Sequence, residues 1–168
     1  MFLTPTSPLD EATVALPQWL CVMDTLDRPG ILMELSALFA NRGVSVQAIT
    51  AKGSQVLGQH LGKLLLTFEA SPQKQALLVR VLKRHPALCN VQVVPFDDPA
   101  VRMLATLHTT APISEVWASH TLPANVQAVP LADSAVVLVG APAAVIALLE
   151  TLEQAGLVRD FFYTVSLL

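Results

Sequence analysis

The segment from Asp24 to Leu32 reads Asp-Thr-Leu-Asp-Arg-Pro-Gly-Ile-Leu, and it holds the residue types best suited to gripping a small charged molecule. Gly30 lets the backbone pass close to a neighbour. The first N–H groups of a helix starting there have no partner within the helix, and with the positive end of the helix dipole they suit a carboxylate. Asp27 is placed to meet a cation such as an ammonium. A molecule carrying both charges close together is an amino acid, and Ile31, Leu32 and Val46 can wall its side chain. A plainer role for the same residues is structural: Asp27 caps the helix, and Gly30 lets helix pack tightly on sheet.

Catalytic signatures are missing from the sequence. It has no Cys-x-x-Cys, His-Glu-x-x-His or Gly-x-Ser-x-Gly, and no phosphate-binding glycine loop. His60, His85, His108 and His120 are far apart and fall at element ends or strand edges. Asp97-Asp98 stands beside Pro99, where turn chemistry explains it better than acid-base work. Cys21 and Cys89 both sit in apolar stretches and give neither a disulfide framework nor a metal set, so both are expected buried and reduced. No catalytic residue, metal or cofactor is expected.

The elements that must hold Asp27 and Gly30 follow from periodicity. Residues 1–17 mix Pro5, Pro8 and Pro17 with Thr and Ser and read as a loose tail. Trp19 to Met23 is an apolar run that suits a strand buried on both faces. Ile31, Leu32, Leu35, Leu38 and Phe39 recur at helical spacing, with Pro29 opening and Gly43 closing the helix. Val44 to Ile49 alternates as a strand, and Gly53, Gly58 and Gly62 surround a hairpin connection. Lys63 to Glu69 is the returning strand. Ser71-Pro72 then starts a helix with an apolar face of Ala76, Leu77, Val79, Leu82 and Val81. Cys89 to Pro95 is a fourth strand.

The order then repeats: a strand from Val101, a short helix from Pro112 to His120, strands at 126–129 and 135–139, a helix from Pro142 and a last strand from Val158. Each helix begins at a proline, as expected of two copies of one plan. The fold class is α+β: two ferredoxin-like βαββαβ domains in tandem, each an antiparallel sheet with helices on one face. Residues 18–96 form the first domain, 97–99 a linker and 100–168 the second. The bare sheet faces are the expected interface.

Composition agrees with an interface. The chain has 168 residues, 53% of them apolar and only 14% charged, against roughly 25% charged in an average domain. Disorder is excluded. The longest uncharged stretch, Ser134 to Leu149, falls short of the about 20 apolar residues a spanning helix needs and is broken by Gly140 and Pro142. The first twenty residues hold no Lys or Arg but do hold Asp10 and Glu11, so no export signal is expected and the cytoplasm is the default. A net charge of −3 without a basic run speaks against nucleic acid.

Asp27-Arg28-Pro29-Gly30-Ile31-Leu32, followed by Leu38-Phe39-Ala40-Asn41-Arg42-Gly43-Val44-Ser45-Val46-Gln47-Ala48-Ile49-Thr50, resembles the opening of an ACT domain, a family of regulatory modules in amino-acid metabolism. It is most similar to the small regulatory subunit of acetolactate synthase, whose motif runs Gly-Ala-Leu, then Leu-Phe-x-x-Arg-Gly-Tyr-Asn-Ile-x-Ser-Leu-Thr. The specific motif covers residues 24–50, and the two-domain architecture covers both halves. The resemblance implies a homodimer that binds valine or a similar amino acid between the helix-start loop of one chain and the strand after Gly43 of the other. It also implies a thiamine-diphosphate-dependent acetolactate synthase catalytic subunit as partner, in the control of branched-chain amino-acid biosynthesis. The ligand residues it implies are Asp27, Gly30, Ile31, Leu32, Ser45 and Val46.

Asp27 stands where the subunit usually has Asn, Ile31 replaces Ala, and Ser45-Val46 replace Asn-Ile. Ser45 is shorter by about one amide group, and Ile31 narrows the space above the helix start, so a smaller ligand is favoured. The turn Thr109 to Pro112 in the second half has no glycine, and no amino-acid site is expected there. Two other functions are compatible with the sequence: an interaction protein that keeps the fold without a ligand, and a small enzyme on the same scaffold.

Overall fold

A computed structural model describes residues 16–53 and 61–168; the expected tail, His60 and Gly58 lie wholly or largely outside them. The chain runs β1 (Gln18–Leu26), α1 (Ile31–Ala40), β2 (Val46–Lys52), β3 (Leu61–Glu69), α2 (Pro72–Leu82) and β4 (Leu88–Pro95). It then repeats with β5 (Val101–Thr109), α3 (Ile113–Ser119), β6 (Val126–Ala132), β7 (Ala135–Gly140), α4 (Pro142–Gln154) and β8 (Val158–Leu167). The two sheets have the equivalent antiparallel orders β2-β3-β1-β4 and β6-β7-β5-β8. The ferredoxin-like plan therefore occurs twice, as its element order predicts.

Each helix forms for a local reason. Ile31, Leu35, Leu38 and Phe39 fall on one face of α1 and are buried, and Phe39 meets Phe68 of β3 edge-on at 5.4 Å between ring centroids. α1 ends where Gly43 turns left-handed at φ 59°. There the Val44 N–H bonds Phe39 O and the Gly43 N–H bonds Ala40 O, closing the last turn. α4 ends in the same way at Gly156. Ser71 caps α2 by accepting from the Lys74 N–H, and Pro72 takes the first helical position.

Several expectations need correction. Pro72 and Pro142 open their helices, but Pro29 lies two residues before α1, whose cap is Gly30, and Pro112 is the cap of α3. The buried face of α2 is Leu78 and Leu82, with Leu77 outside. An apolar run of four residues offers two possible stripes, and only the one that starts at Leu78 faces the sheet. Cys21 is buried among the helices, but Cys89 is exposed on the edge strand β4, where apolar neighbours in sequence do not ensure cover.

The largest correction concerns the bare sheet faces. On the first sheet, Leu20, Val22, Leu65 and Val94 point away from α1 and α2, and they pack on the core of the second sheet with Leu20 fully buried. Thr50 of β2 and Thr164 of β8 share a 2.7 Å hydrogen bond across the same boundary. The chain thus covers its own first sheet. The second sheet buries Val101, Met103, Ala105 and Leu107 under α3 and α4. Its other face meets the first sheet at Thr164 and is otherwise open, with Phe162 75% exposed on β8, Leu104 exposed on β5 and Val129 exposed on the far edge strand β6. Among the described residues no helix is long and apolar enough to cross a membrane.

Two consequences can be measured. Thr67, next to Leu20 on β3, is fully buried, and its hydroxyl has no hydrogen-bond partner among the described residues. A buried unsatisfied hydroxyl costs about 1–3 kcal/mol, so Thr67→Val is expected to raise unfolding stability by about 1 kcal/mol in urea denaturation. Burial pushes the Cys21 thiol up to about 12, so it holds its proton at pH 8 and cannot act as a thiolate. A thiol reagent at pH 8 should therefore modify Cys89 alone in the native protein and both cysteines after denaturation.

Candidate functional site

β1 delivers its last residues to the end of the sheet where β2 finishes and β3 begins, because the two neighbouring pairings are antiparallel. Asp27, Gly30 and the start of α1 thereby meet the β2–β3 hairpin. A cavity of about 270 Å³ lies between them, lined by Asp27, Arg28, Gly30, Ile31, Leu32 and Lys52, with Gly53 and Gly62 behind. Its size is at the low end for ligand pockets, which run roughly 300–1,000 Å³, and suits a metabolite of a few heavy atoms.

The lower wall is fixed by hydrogen bonds. Thr25, almost wholly buried, donates its hydroxyl to Ala87 O at 3.1 Å, and the Leu26 N–H bonds the same carbonyl at 2.8 Å. Arg28 reaches forward to Glu34 at 2.7 Å, which anchors the loop to the first turn of α1, and His85 lies 3.6 Å from the same carboxylate. Gly62 is needed for space, since a Cβ there would stand 3.1 Å from Lys52 O.

Gly30 is needed for its conformation. It adopts φ 87° as the cap of α1, and a Cβ built on it meets nothing within 4 Å. The plainer reading, in which Gly30 lets helix pack tightly on sheet, is therefore replaced by a left-handed turn, which L residues adopt at a cost of about 1–2 kcal/mol. That turn starts α1 at the cavity, where the Ile31 N–H bonds Arg28 O at 3.4 Å.

Four of the six residues singled out in the sequence come together here. Ile31 is mostly committed to the core beside Leu35, whereas Leu32 is 42% exposed at the rim. Ser45 and Val46 do not line the cavity. Val46 opens β2 and Ser45 precedes it, so Val46 is six residues from Lys52, about 20 Å away at 3.3 Å per residue. Val46 is half-buried against the first core and Ser45 is exposed.

Lys52 lines the cavity although periodicity did not single it out, and its register sets it with Thr50 and Leu65 on the sheet face away from α1. It faces Lys63 across the β2–β3 pair, and the Lys63 ammonium is held by Asp24 at 3.3 Å. Among the described residues Lys52 makes no ion pair. The available signal was topological: in this strand order β2 and β1 finish at the same end of the sheet, with β3 between them. At the equivalent place in the second half, α3 and the end of β6 border a groove of about 610 Å³ lined by Trp117, Pro130, Leu131 and Asp133. Its lining has no basic side chain and no glycine, so the paired charges that suit an amino acid are absent there. No group of three or more metal-ligating side chains occurs among the described residues.

Neither protein-family models nor curated protein sequences give a match. Solved structures do. The acetolactate synthase small subunit from Thermotoga maritima is 17% identical, with a TM-score of 0.64 over 90% of this chain and 96% of that one. The ligand-free regulatory subunit of aspartate kinase from Thermus thermophilus is 18% identical, with a TM-score of 0.45 over 83% of this chain and 93% of that one. The resemblance seen in residues 24–50 thus extends to the fold of both halves.

Gly30 gives a sharp test of its conformational role. Gly30→Ala is expected to lower stability by about 1–2 kcal/mol, and Gly30→Asn by less than half of that, because Asn tolerates the left-handed region. A close-packing role predicts the opposite order, since Asn is the larger side chain. Urea denaturation of the two variants separates them.

Proposed function

We propose that this chain is a non-catalytic regulatory protein of the ACT type, a cytoplasmic homodimer that binds valine or a similar small amino acid and modulates a partner enzyme. Residues 18–96 are its effector-binding domain, 97–99 a linker and 100–168 a second domain. By its similarity to the acetolactate synthase small subunit, the partner is a thiamine-diphosphate-dependent acetolactate synthase catalytic subunit, and the process is the control of branched-chain amino-acid synthesis.

The observation that supports this most is one small cavity whose lining gathers Asp27, Lys52 and the start of α1. A zwitterion matches it: its ammonium goes to Asp27, which as a carboxylate has about four acceptor positions to share, and its carboxylate goes to Lys52 and the N–H groups of α1.

Ser45 and Val46 enter through the second copy. β2 is the edge of its sheet and exposes Ile49. Antiparallel pairing of β2 with its own copy about a twofold axis at Ile49 sets residue 46 opposite residue 52. The partner's strand start then closes the cavity that one chain leaves open, and an amino acid bound there favours one arrangement of the dimer. An enzyme that binds the two arrangements unequally is regulated by the difference, commonly about 1–3 kcal/mol.

Titration calorimetry with valine, leucine, isoleucine, alanine and glycine tests the ligand. Binding of at least one at millimolar concentration or below is expected. Lys52→Ala should weaken it about tenfold or more, as loss of a charged hydrogen bond of about 1.5–3 kcal/mol implies. Gly30→Asp is expected to abolish the response while sparing the dimer. Loss of response and dimer together would favour the interaction-only function.

A further inference from the structure

Positive charge is concentrated in one place on this acidic chain. Residues 70–96 contain Lys74, Arg80, Lys83 and Arg84 and no Asp or Glu. On the surface, Arg42 at the end of α1 joins Lys74, Arg80 and Arg84 of α2 around Leu77 and Val81 to form a groove of about 510 Å³. Leu77 is 58% exposed at its centre. Arg42 donates to Leu38 O and Lys74 to Gly43 O, so both cations are held in place by carbonyls at the end of α1. No carboxylate lines the groove, and among the described residues none of its four cations makes an ion pair. The groove is therefore shaped for an acidic surface that can also cover a leucine.

Such a surface is present on the same chain. Residues 97–168 hold seven carboxylates against two basic residues, Arg102 and Arg159. Helix α4 exposes Glu150 and Glu153 beside Ala143, Ala147 and Thr151. Positions 143, 147 and 151 are four apart and form one stripe. Their small side chains allow another helix to approach closely, with Leu77 lying over alanine and the glutamates beside the arginines.

We propose that the groove of α2 receives helix α4 of a second copy of this chain. The contact joins unlike surfaces, so it either closes reciprocally between two copies or links β2-edge dimers into larger assemblies. It depends on charge and is independent of the amino-acid cavity, so its failure and the failure of that site are separable.

Sedimentation velocity on the full chain at about 0.05 M and about 0.5 M salt tests this, because screening shortens the reach of charge from roughly 14 Å to roughly 4 Å over that range. Association is expected to be stronger at low salt. Arg80→Glu and Glu153→Arg, both at exposed positions, should each weaken it about tenfold or more, and mixing the two variants should restore it. Lys74→Glu with Glu150→Lys repeats the exchange should either first variant misfold. Insensitivity to salt, or failure of the exchanged charges to restore association, would overturn the proposal. So would an effect of Arg80→Glu without one of Glu153→Arg, which would give the groove to a different acidic partner.

Discussion

The structure depends on one burial: the outer face of the first sheet against the second half of the chain. A four-stranded sheet with helices on one side leaves its other side open, and in a chain with 14% charged residues that side is oily. Leu20 and its neighbours Val22, Leu65 and Val94 meet that requirement internally, on the core of the second sheet. The turn at Asp98, whose side chain accepts from the Ala100 N–H at 2.8 Å, directs the chain into β5 and so into this packing. What stays free follows from it: the β2 edge at Ile49, the end of the first sheet that holds the cavity, and the part of the second sheet's outer face around Phe162.

Element type and order were legible in the sequence because they depend on local spacing. Ile31, Leu35, Leu38 and Phe39 declare α1 wherever it packs, and Ser71-Pro72 declares the start of α2. Tertiary choices were not legible. Leu77 and Leu78 are equally apolar, and only the position of the sheet decides which is buried. Cys89 follows the same rule, since exposure at an edge strand is set by strand order.

The candidate site divides along the same line. Asp27 and Gly30 were visible because a glycine at a strand-to-helix turn has few uses, and within the chain its use is a left-handed turn instead of tight packing of helix on sheet. Lys52 was not visible, because its place in the cavity depends on the register of a hairpin whose connection hides it. Val46 was singled out as an apolar wall and Ser45 by resemblance alone, and one chain sets both at the far end of β2. A cavity built from both groups needs two chains. In the proposed function, occupancy of such a shared site biases the arrangement of an existing dimer, which is how it would reach a partner enzyme.

The most direct test is an amide nuclear magnetic resonance titration of the dimer with the amino acid that binds in calorimetry. The account predicts shifts in two groups about 20 Å apart in one chain: residues 27–32 with Lys52, and Ser45 with Val46. Shifts confined to the first group would contradict completion of the site by a second copy. Shifts centred on Trp117 and Asp133 would contradict the assignment of the site itself.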